Sequence, residues 1–463
     1  MAEGSTPSIV VEDYDNASSE RRPLFRNQVS ENSEEDSIVS PETPPKDNHK
    51  IVWVIFFLVG MTTLLPWNFF ISLNNFWDYK FRNVSKDASV PKNNSTAPTE
   101  LQKEFTSYLA IASNVPNATF VLLNAVYGQR FDLRKRIVST LSMIIAMFVC
   151  VSALSFANSD SWQRPFLATI LLFVVIINIC SAIFQGGAFG YAGKFPPEYM
   201  GAQMAGQAMG GIFPALVDIT IVALDVKEKD VGPACFVVAT VVLVICLMSQ
   251  TWMFRSSPFF KFYNDGPPTA DEEEPSSSRD FSSVTVVKNC WLYLLTVFIT
   301  FTCTLSIFPP VAVLVQAETY ASGSSWAVKY FTPVSVFLLF NVGDFVGRTL
   351  ASWIRLPSRS TLGKVMTLSA SIARLAFIPL FMHCNIPGNP ERKVVFRSDA
   401  DFIAFMVLFS VSNGYIGNIC MLNGPKGTQD REMKEAIAMF LIAGLVLGAG
   451  TGSFLSYPLV RSL

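Results

Sequence analysis

Charge and histidine are both scarce in this 463-residue chain: Asp, Glu, Lys and Arg make up 15% of it, and there are two histidines. An average soluble domain is about 25% charged. Length alone would suggest about three soluble domains, but the charge deficit argues against them. With a net charge of -1 and no dense basic patch, nucleic-acid binding is excluded. His49 and His383 have no HExxH or His-carboxylate cluster around them, so the reading includes no metal centre, no catalytic residue and no cofactor. The eight cysteines form no CxxC pair, and Cys150, Cys180, Cys246, Cys303 and Cys420 lie inside apolar runs, which fits neither a disulfide scaffold nor a zinc site. The Gly448-Ala449-Gly450-Thr451-Gly452 run sits mid-segment with no strand before it. It is therefore no nucleotide loop, and an ATP-driven pump is excluded.

Half of the chain is hydrophobic, and Phe alone supplies 39 residues. The sparse charges gather in a few connectors, leaving apolar runs long enough to cross a bilayer. Eleven such runs are read as helices: about 51–76, 107–127, 137–157, 165–190, 197–222, 232–254, 289–315, 327–353, 362–382, 401–423 and 435–460. The fold expected is all-α and membrane-embedded, in two bundles of six and five spans (51–254 and 289–463). Residues 1–50 read as a disordered cytosolic tail, and 255–288, with Pro267-Pro268, the acidic run Asp271 to Glu274 and Ser276 to Ser278, as a disordered cytosolic linker.

The connector 78–104 holds three sequons, headed by Asn83, Asn93 and Asn94, which favour the outside and glycosylation there. The basic cluster Arg130, Arg134, Lys135 and Arg136, in a very short connector, favours the cytosol. Both fit a cytosolic N-terminus and, with an odd number of spans, an outside C-terminus. The connector 383–400, with Arg392, Lys393 and Arg397, runs against this bias. In the tail, Glu20-Arg21-Arg22-Pro23-Leu24-Phe25 nearly matches an acidic dileucine signal, the kind that sorting adaptors read, with Phe25 where Leu or Ile is usual. The incomplete signal favours the plasma membrane; a late endosome or lysosome is the alternative.

Ionisable residues deep in a span cost several kcal/mol unless they are paired or face water, so they are candidates for function. Asp344 and Arg348 stand one helical turn apart on one face, with Asn341 a turn earlier. Carboxylate, guanidinium and amide in one stripe could hold a neutral, hydroxyl-rich solute, or could form an ion pair that only locks two helices. Arg374 is a second intramembrane cation, which suits pairing with a carbonyl or acid of a neighbouring span. In span one, Pro66 frees a backbone carbonyl beside Trp67 and Asn68, where the indole could stack on a planar base or simply sit at an interface. Gln185 must find a partner, helix or ligand. The repeats Gly186/Gly190, Gly206/Gly210 and Gly444/Gly448/Gly452 read as close helix packing.

At these residues the chain resembles the equilibrative nucleoside transporter family. The strings are Leu64-Leu65-Pro66-Trp67-Asn68-Phe69-Phe70, Gln185-Gly186 with Phe189-Gly190, Tyr330-Phe331 with Pro333-Val334-Ser335, Asn341 through Asp344 to Gly347-Arg348, and Ser412-Asn413-Gly414-Tyr415 with Gly424-Pro425-Lys426. They occur in the family's order from about residue 51 onward. The resemblance implies a major-facilitator-like fold and facilitative transport of nucleosides such as adenosine and uridine through the lipid bilayer, by alternating access. It implies that Trp67 and Gln185 contact the nucleoside and that Asp344 and Arg348 contact its ribose side, supported by Asn68 and Asn341. Arg136 matches a family arginine with a gating or structural role, and Phe308-Pro309, in span seven, a cavity-neighbouring pair. Nucleobase transport stays open, as does a proton-assisted variant in endolysosomal membranes. So do purine against pyrimidine preference and inhibitor sensitivity, since Ile71 stands where family members often have Met.

Overall fold

The computed structural model describes residues 45–82, 100–224, 228–265, 282–387 and 394–463. The glycosylation candidates Asn83, Asn93 and Asn94 and the sorting signal lie outside the described residues. The chain forms α1 (Ile51–Ser72), α2 (Asn74–Lys80), α3 (Glu100–Tyr127), α4 (Leu133–Phe156), α5 (Gln163–Lys194), α6 (Pro197–Leu224), α7 (Glu228–Ser256), α8 (Pro258–Asp265), α9 (Ser283–Ile307), α10 (Leu339–Trp353), α11 (Thr361–Ala373), α12 (Phe377–Met382), α13 (Asp399–Asn423) and α14 (Arg431–Arg461). Every one of the eleven expected spans falls on this framework.

Among the described residues, nine helices are long and apolar enough to cross a membrane. The other two expected spans lie on α3 and α6. Each has 28 residues, about 42 Å at ~1.5 Å per residue, and so exceeds a hydrocarbon core of ~30 Å. α6 is an inner helix, with Met200 through Ala208 buried, Gln203 and Gln207 among them, and a helix walled by protein need not be apolar. α3 opens with Glu100, Lys103 and Glu104.

The structure corrects several boundaries. Span one stops at Ser72, and α2 follows as a separate turn. Phe308 and Pro309 lie in span seven, which runs on to Leu314, but past the end of its α-helix: α9 stops at Ile307, and Phe308 is extended (φ -103°, ψ 129°), as a residue before proline tends to be. Span eight enters through wide i→i+5 turns over Trp326–Tyr330 and Thr332–Leu338 before tightening into α10; Pro333 removes one amide donor there. Span nine breaks at Arg374–Ala376 into α11 and α12. Part of the stretch read as a linker is helical: α8 buries Phe259 and Phe260 among Tyr191, Phe195 and Phe254, while 266–281 lie outside the described residues.

Close packing follows the glycines. A Cβ on Gly206 would sit 1.9 Å from the Phe57 carbonyl oxygen, so α1 and α6 touch backbone to backbone. Gly206→Ala is expected to destabilise by about 1–3 kcal/mol or more, because a backbone carbonyl cannot step aside; size-exclusion profiles of the solubilised protein should show a loss of folded monomer. Along the far half of α14, Gly448 and Gly452 let the helix lie on the carbonyls of Phe298 and Thr302 in α9.

Alternation of the spans separates two ends. One gathers Asp47, which accepts from the Val52 and Trp53 amides and the Tyr199 hydroxyl, with the connectors 128–132, 195–196, 354–360 and 424–430. Arg134 bridges Asp265 there, and Arg431 of α14 donates to the Phe262 carbonyl. The opposite end carries the Arg82–Asp160 bridge and the bond from the Gln316 amide to the Asn385 carbonyl.

Candidate functional site

Asp344 and Arg348 lie on the buried face of α10, 4% and 3% exposed. Their i,i+4 spacing brings Arg348 Nε to 2.7 Å from Asp344 Oδ2. The pair does not close on itself. Arg348 Nη1 reaches across to α6, donating to Gln207 Oε1 at 2.8 Å and to the Met204 carbonyl at 3.2 Å. Gln207 Nε2 donates onward to Thr63 Oγ1 of α1 at 3.3 Å. On the other side, Asn413 Nδ2 of α13 donates to Asp344 Oδ1 at 2.7 Å, and a Cβ on Gly414 would fall 2.0 Å from the Asp344 carbonyl, so α13 is pressed against α10 here. Asn418 Nδ2 bonds the Arg348 carbonyl at 2.5 Å. A charge pair that would be costly alone is thus hydrogen-bonded on both sides, by α6 residues at Arg348 and an α13 residue at Asp344.

α6 is the meeting line. Asn68 Nδ2 donates to the Leu64 and Gly210 carbonyls, both at 3.1 Å. Asn341 donates to the Phe337 carbonyl at 2.8 Å and lays its Oδ1 against Gly211. Three of the expected residues, Asn68, Asn341 and Arg348, therefore meet α6, and Asp344 is held beside it through Arg348. Trp67 is half-buried beside Asn68 on α1, and Gln185 is 5% exposed on α5; no hydrogen bond joins either to the pair among the described residues. Phe308 stacks on Phe340 of α10, with centroids 3.9 Å apart and planes at 12°. Arg374, 2% exposed, donates to the Phe409 carbonyl and Ser412 Oγ of α13 and to Thr304 Oγ1 of α9.

Arg136 belongs to a second cluster. Its Nη2 lies 3.5 Å from Glu435 Oε1 of α14, and Lys194 Nζ of α5 lies 2.6 Å from Glu435 Oε2; Arg136 Nη1 also donates to the Gly128 carbonyl. Ala125, Met439 and Ala443 form an apolar seam beside it. One carboxylate of the second bundle holds two cations of the first, at the end that carries the 128–132 connector. A separate cavity of about 460 Å³, lined among others by Val315, Gln316, Tyr320, Phe331, Val460 and Leu463, shares no residue with either cluster.

A family model described as "Nucleoside transporter" matches residues 171–461. The chain belongs to the nucleoside transporter family. Among similar proteins are human equilibrative nucleoside transporter 1, 33% identical over 452 residues (88% of this chain, 96% of the relative), and rat equilibrative nucleoside transporter 3, 31% identical over 437 residues (89% and 90%). In fold this nucleoside transporter resembles the major facilitator superfamily proton:xylose symporter XylE, with a TM-score of 0.51 and 12% identity, covering 89% of this chain and 92% of that one. The family and the fold are those of multi-pass membrane transporters. Gln207, Asn413, Thr304, Lys194 and Glu435 were not singled out as site residues in the sequence. Asn413 was visible within a family-like string; Gln207 could have been found as a second glutamine facing a small-residue stripe, and Glu435 as an acid at the edge of a span.

Proposed function

We propose that this nucleoside transporter is a uniporter that binds purine and pyrimidine nucleosides between its two bundles and releases them on either side by alternating access. The observation that carries this reading is the Asp344–Arg348 pair, held by donors and acceptors of both bundles. Ribose offers adjacent hydroxyl donors suited to the Asp344 carboxylate, and Arg348 offers a planar fork of donors to hydroxyl, carbonyl or ring-nitrogen acceptors. Trp67 supplies a π-face for the base and Gln185 an amide that can both donate and accept, while Asn68 and Asn341 keep the adjoining walls in place. Glu435, Arg136 and Lys194 act as the clasp of a closed end, which opens when the bundles rock the other way. Phe308, stacked on Phe340 of α10, and Pro309 edge the nucleoside's site.

The closed end is assigned to the cytosol, from the basic cluster at Arg130 to Arg136. The tail 1–50 and the linker through 266–281 lie on the same side, and the sequons of 78–104 outside, where glycans attach. The membrane assigned is the plasma membrane, with the tail signal a handle for sorting adaptors. Binding sites on both sides of equal intrinsic access need no energy source, so transport stops at equality.

Reconstitution into proteoliposomes tests this. Labelled uridine and adenosine are expected to enter until the inside concentration matches the outside, with no imposed gradient. Accumulation driven by a pH gradient would assign the chain instead to proton-assisted transport, and absence of uptake by folded protein would overturn the substrate.

A further inference from the structure

Arg374 lies outside the pair, yet a directed chain of hydrogen bonds joins it to Asp344. Arg374 Nη2 donates to Thr304 Oγ1 at 2.9 Å. Thr304 Oγ1 lies 2.7 Å from Asn413 Oδ1, and Asn413 Nδ2 donates to Asp344 Oδ1 at 2.7 Å. Thr304, Asn413 and Arg374 are all buried, so water offers them no alternative partners. Arg374 Nη1 also bonds the Phe409 carbonyl, at 2.7 Å, and Ser412 Oγ, which fixes the turn of α13 just before Asn413.

The order of donors matters. A guanidinium only donates, so it occupies a lone pair of Thr304 and leaves that hydroxyl's single proton to be given onward. Thr304 has two acceptors within reach, the Thr300 carbonyl at 2.8 Å and Asn413 Oδ1. With Asn413 Oδ1 turned toward Thr304, its NH2 faces the carboxylate. The Asp344 carboxylate only accepts, so it holds the amide with its NH2 inward. Without Arg374, Thr304 keeps the Thr300 carbonyl as its acceptor, and Asn413 Oδ1 loses the partner that fixes the amide's place.

We infer that Arg374 is a positioning residue for the transport site: acting through Thr304 and Asn413, it holds in place the amide that orients Asp344 toward substrate. The inference rests on the reading above that Asp344 meets the nucleoside. Losing the relay lets the carboxylate turn, which weakens substrate binding while the bundles still rock. The effect belongs in KM rather than in the maximal rate.

The test compares uridine uptake by proteoliposomes carrying the parent protein, Thr304→Val, Arg374→Met, the double variant and Asp344→Asn, each with a thermal melt. Thr304→Val keeps side-chain shape and the arginine but removes the relay. Loss of one charge-assisted hydrogen bond predicts a KM raised about 10-fold in Thr304→Val and Arg374→Met, with maximal rate within about 2-fold. The double variant is expected to show a KM no higher than the worse single variant, because both cut one chain. An unchanged KM in Thr304→Val, or additive effects in the double variant, would overturn the inference even if Arg374→Met lowers the melting temperature. Should Arg374→Met fail to fold, Thr304→Val decides alone. Asp344→Asn separates the two levels. A raised KM there with unchanged KM in the relay variants rejects the relay; an unchanged KM in Asp344→Asn rejects the site reading beneath it.

Discussion

Replacing Arg348 by alanine is expected to lower nucleoside uptake by about 100-fold or more at equal amounts of folded protein. Removing one partner of a buried ion pair costs about 3–5 kcal/mol, and every ~1.4 kcal/mol is a factor of ten. The loss reaches beyond Asp344: Gln207 Oε1 and the Met204 carbonyl lose their donor as well. Arg348→Lys should recover only part of the activity. A lysine keeps the charge, but its single ammonium cannot meet Asp344, Gln207 and the Met204 carbonyl with the spread of a guanidinium. Initial-rate uptake of uridine, normalised to protein that retains its thermal transition, measures this. Activity within about threefold of the parent, less than ~1 kcal/mol, would remove the pair from the transport step.

The second large effect is expected at Glu435. Its carboxylate lies 2.6 Å from Lys194 Nζ and 3.5 Å from Arg136 Nη2. In Glu435→Gln the two cations are left facing a neutral amide, and α14 loses the attraction that holds it against α4 and α5. Uncompensated buried charge of this kind costs about 3–5 kcal/mol, enough to turn a mostly closed end into a mostly open one. Ala438, fully buried and packed against Gly193, is a reporter for this. Ala438→Cys should react slowly with an impermeant thiol reagent in the parent and at least tenfold faster in the Glu435→Gln background. Unchanged protection would mean that the apolar seam of Ala125, Met439 and Ala443 closes this end by itself.

What was legible in the sequence follows from what is rare. An Asp and an Arg one turn apart in an apolar run are conspicuous, because a bilayer tolerates few such residues, and the i,i+4 contact was fixed by helix geometry alone. Their partners were not legible in the same way. Thr304, Asn413 and Gln207 are neutral polar residues of a kind that recurs on many helix faces, and a single sequence does not say which faces meet. Glu435 opens the expected span 435–460, just after Arg431 and Lys434, where a charge at a span's edge is unremarkable; only the approach of α14 to α4 and α5 makes it a buried clasp. The spans themselves were legible from apolar length. Their ends were less so: Phe308 looked like more of the same run, but the proline after it disfavours helix, and α9 stops. The helix α8 was hidden by polar neighbours because its signal is a pair of phenylalanines rather than an apolar stretch.

The way α14 is held has a mechanical consequence. Its far half lies on α9 through glycine contacts, while its near half reaches the first bundle through Glu435. A straight helix of 31 residues is about 46 Å long at ~1.5 Å per residue. Clamped to α9, it swings as a stiff beam, and a tilt of about 10° about its middle carries each tip about 4 Å. The tip opposite the clasp bears Val460 and Leu463, which line the separate cavity with Val315 and Tyr320. Unfastening Glu435 therefore frees one end of a beam whose other end borders that cavity, and a movement at the clasp is carried along α14 and α9 together.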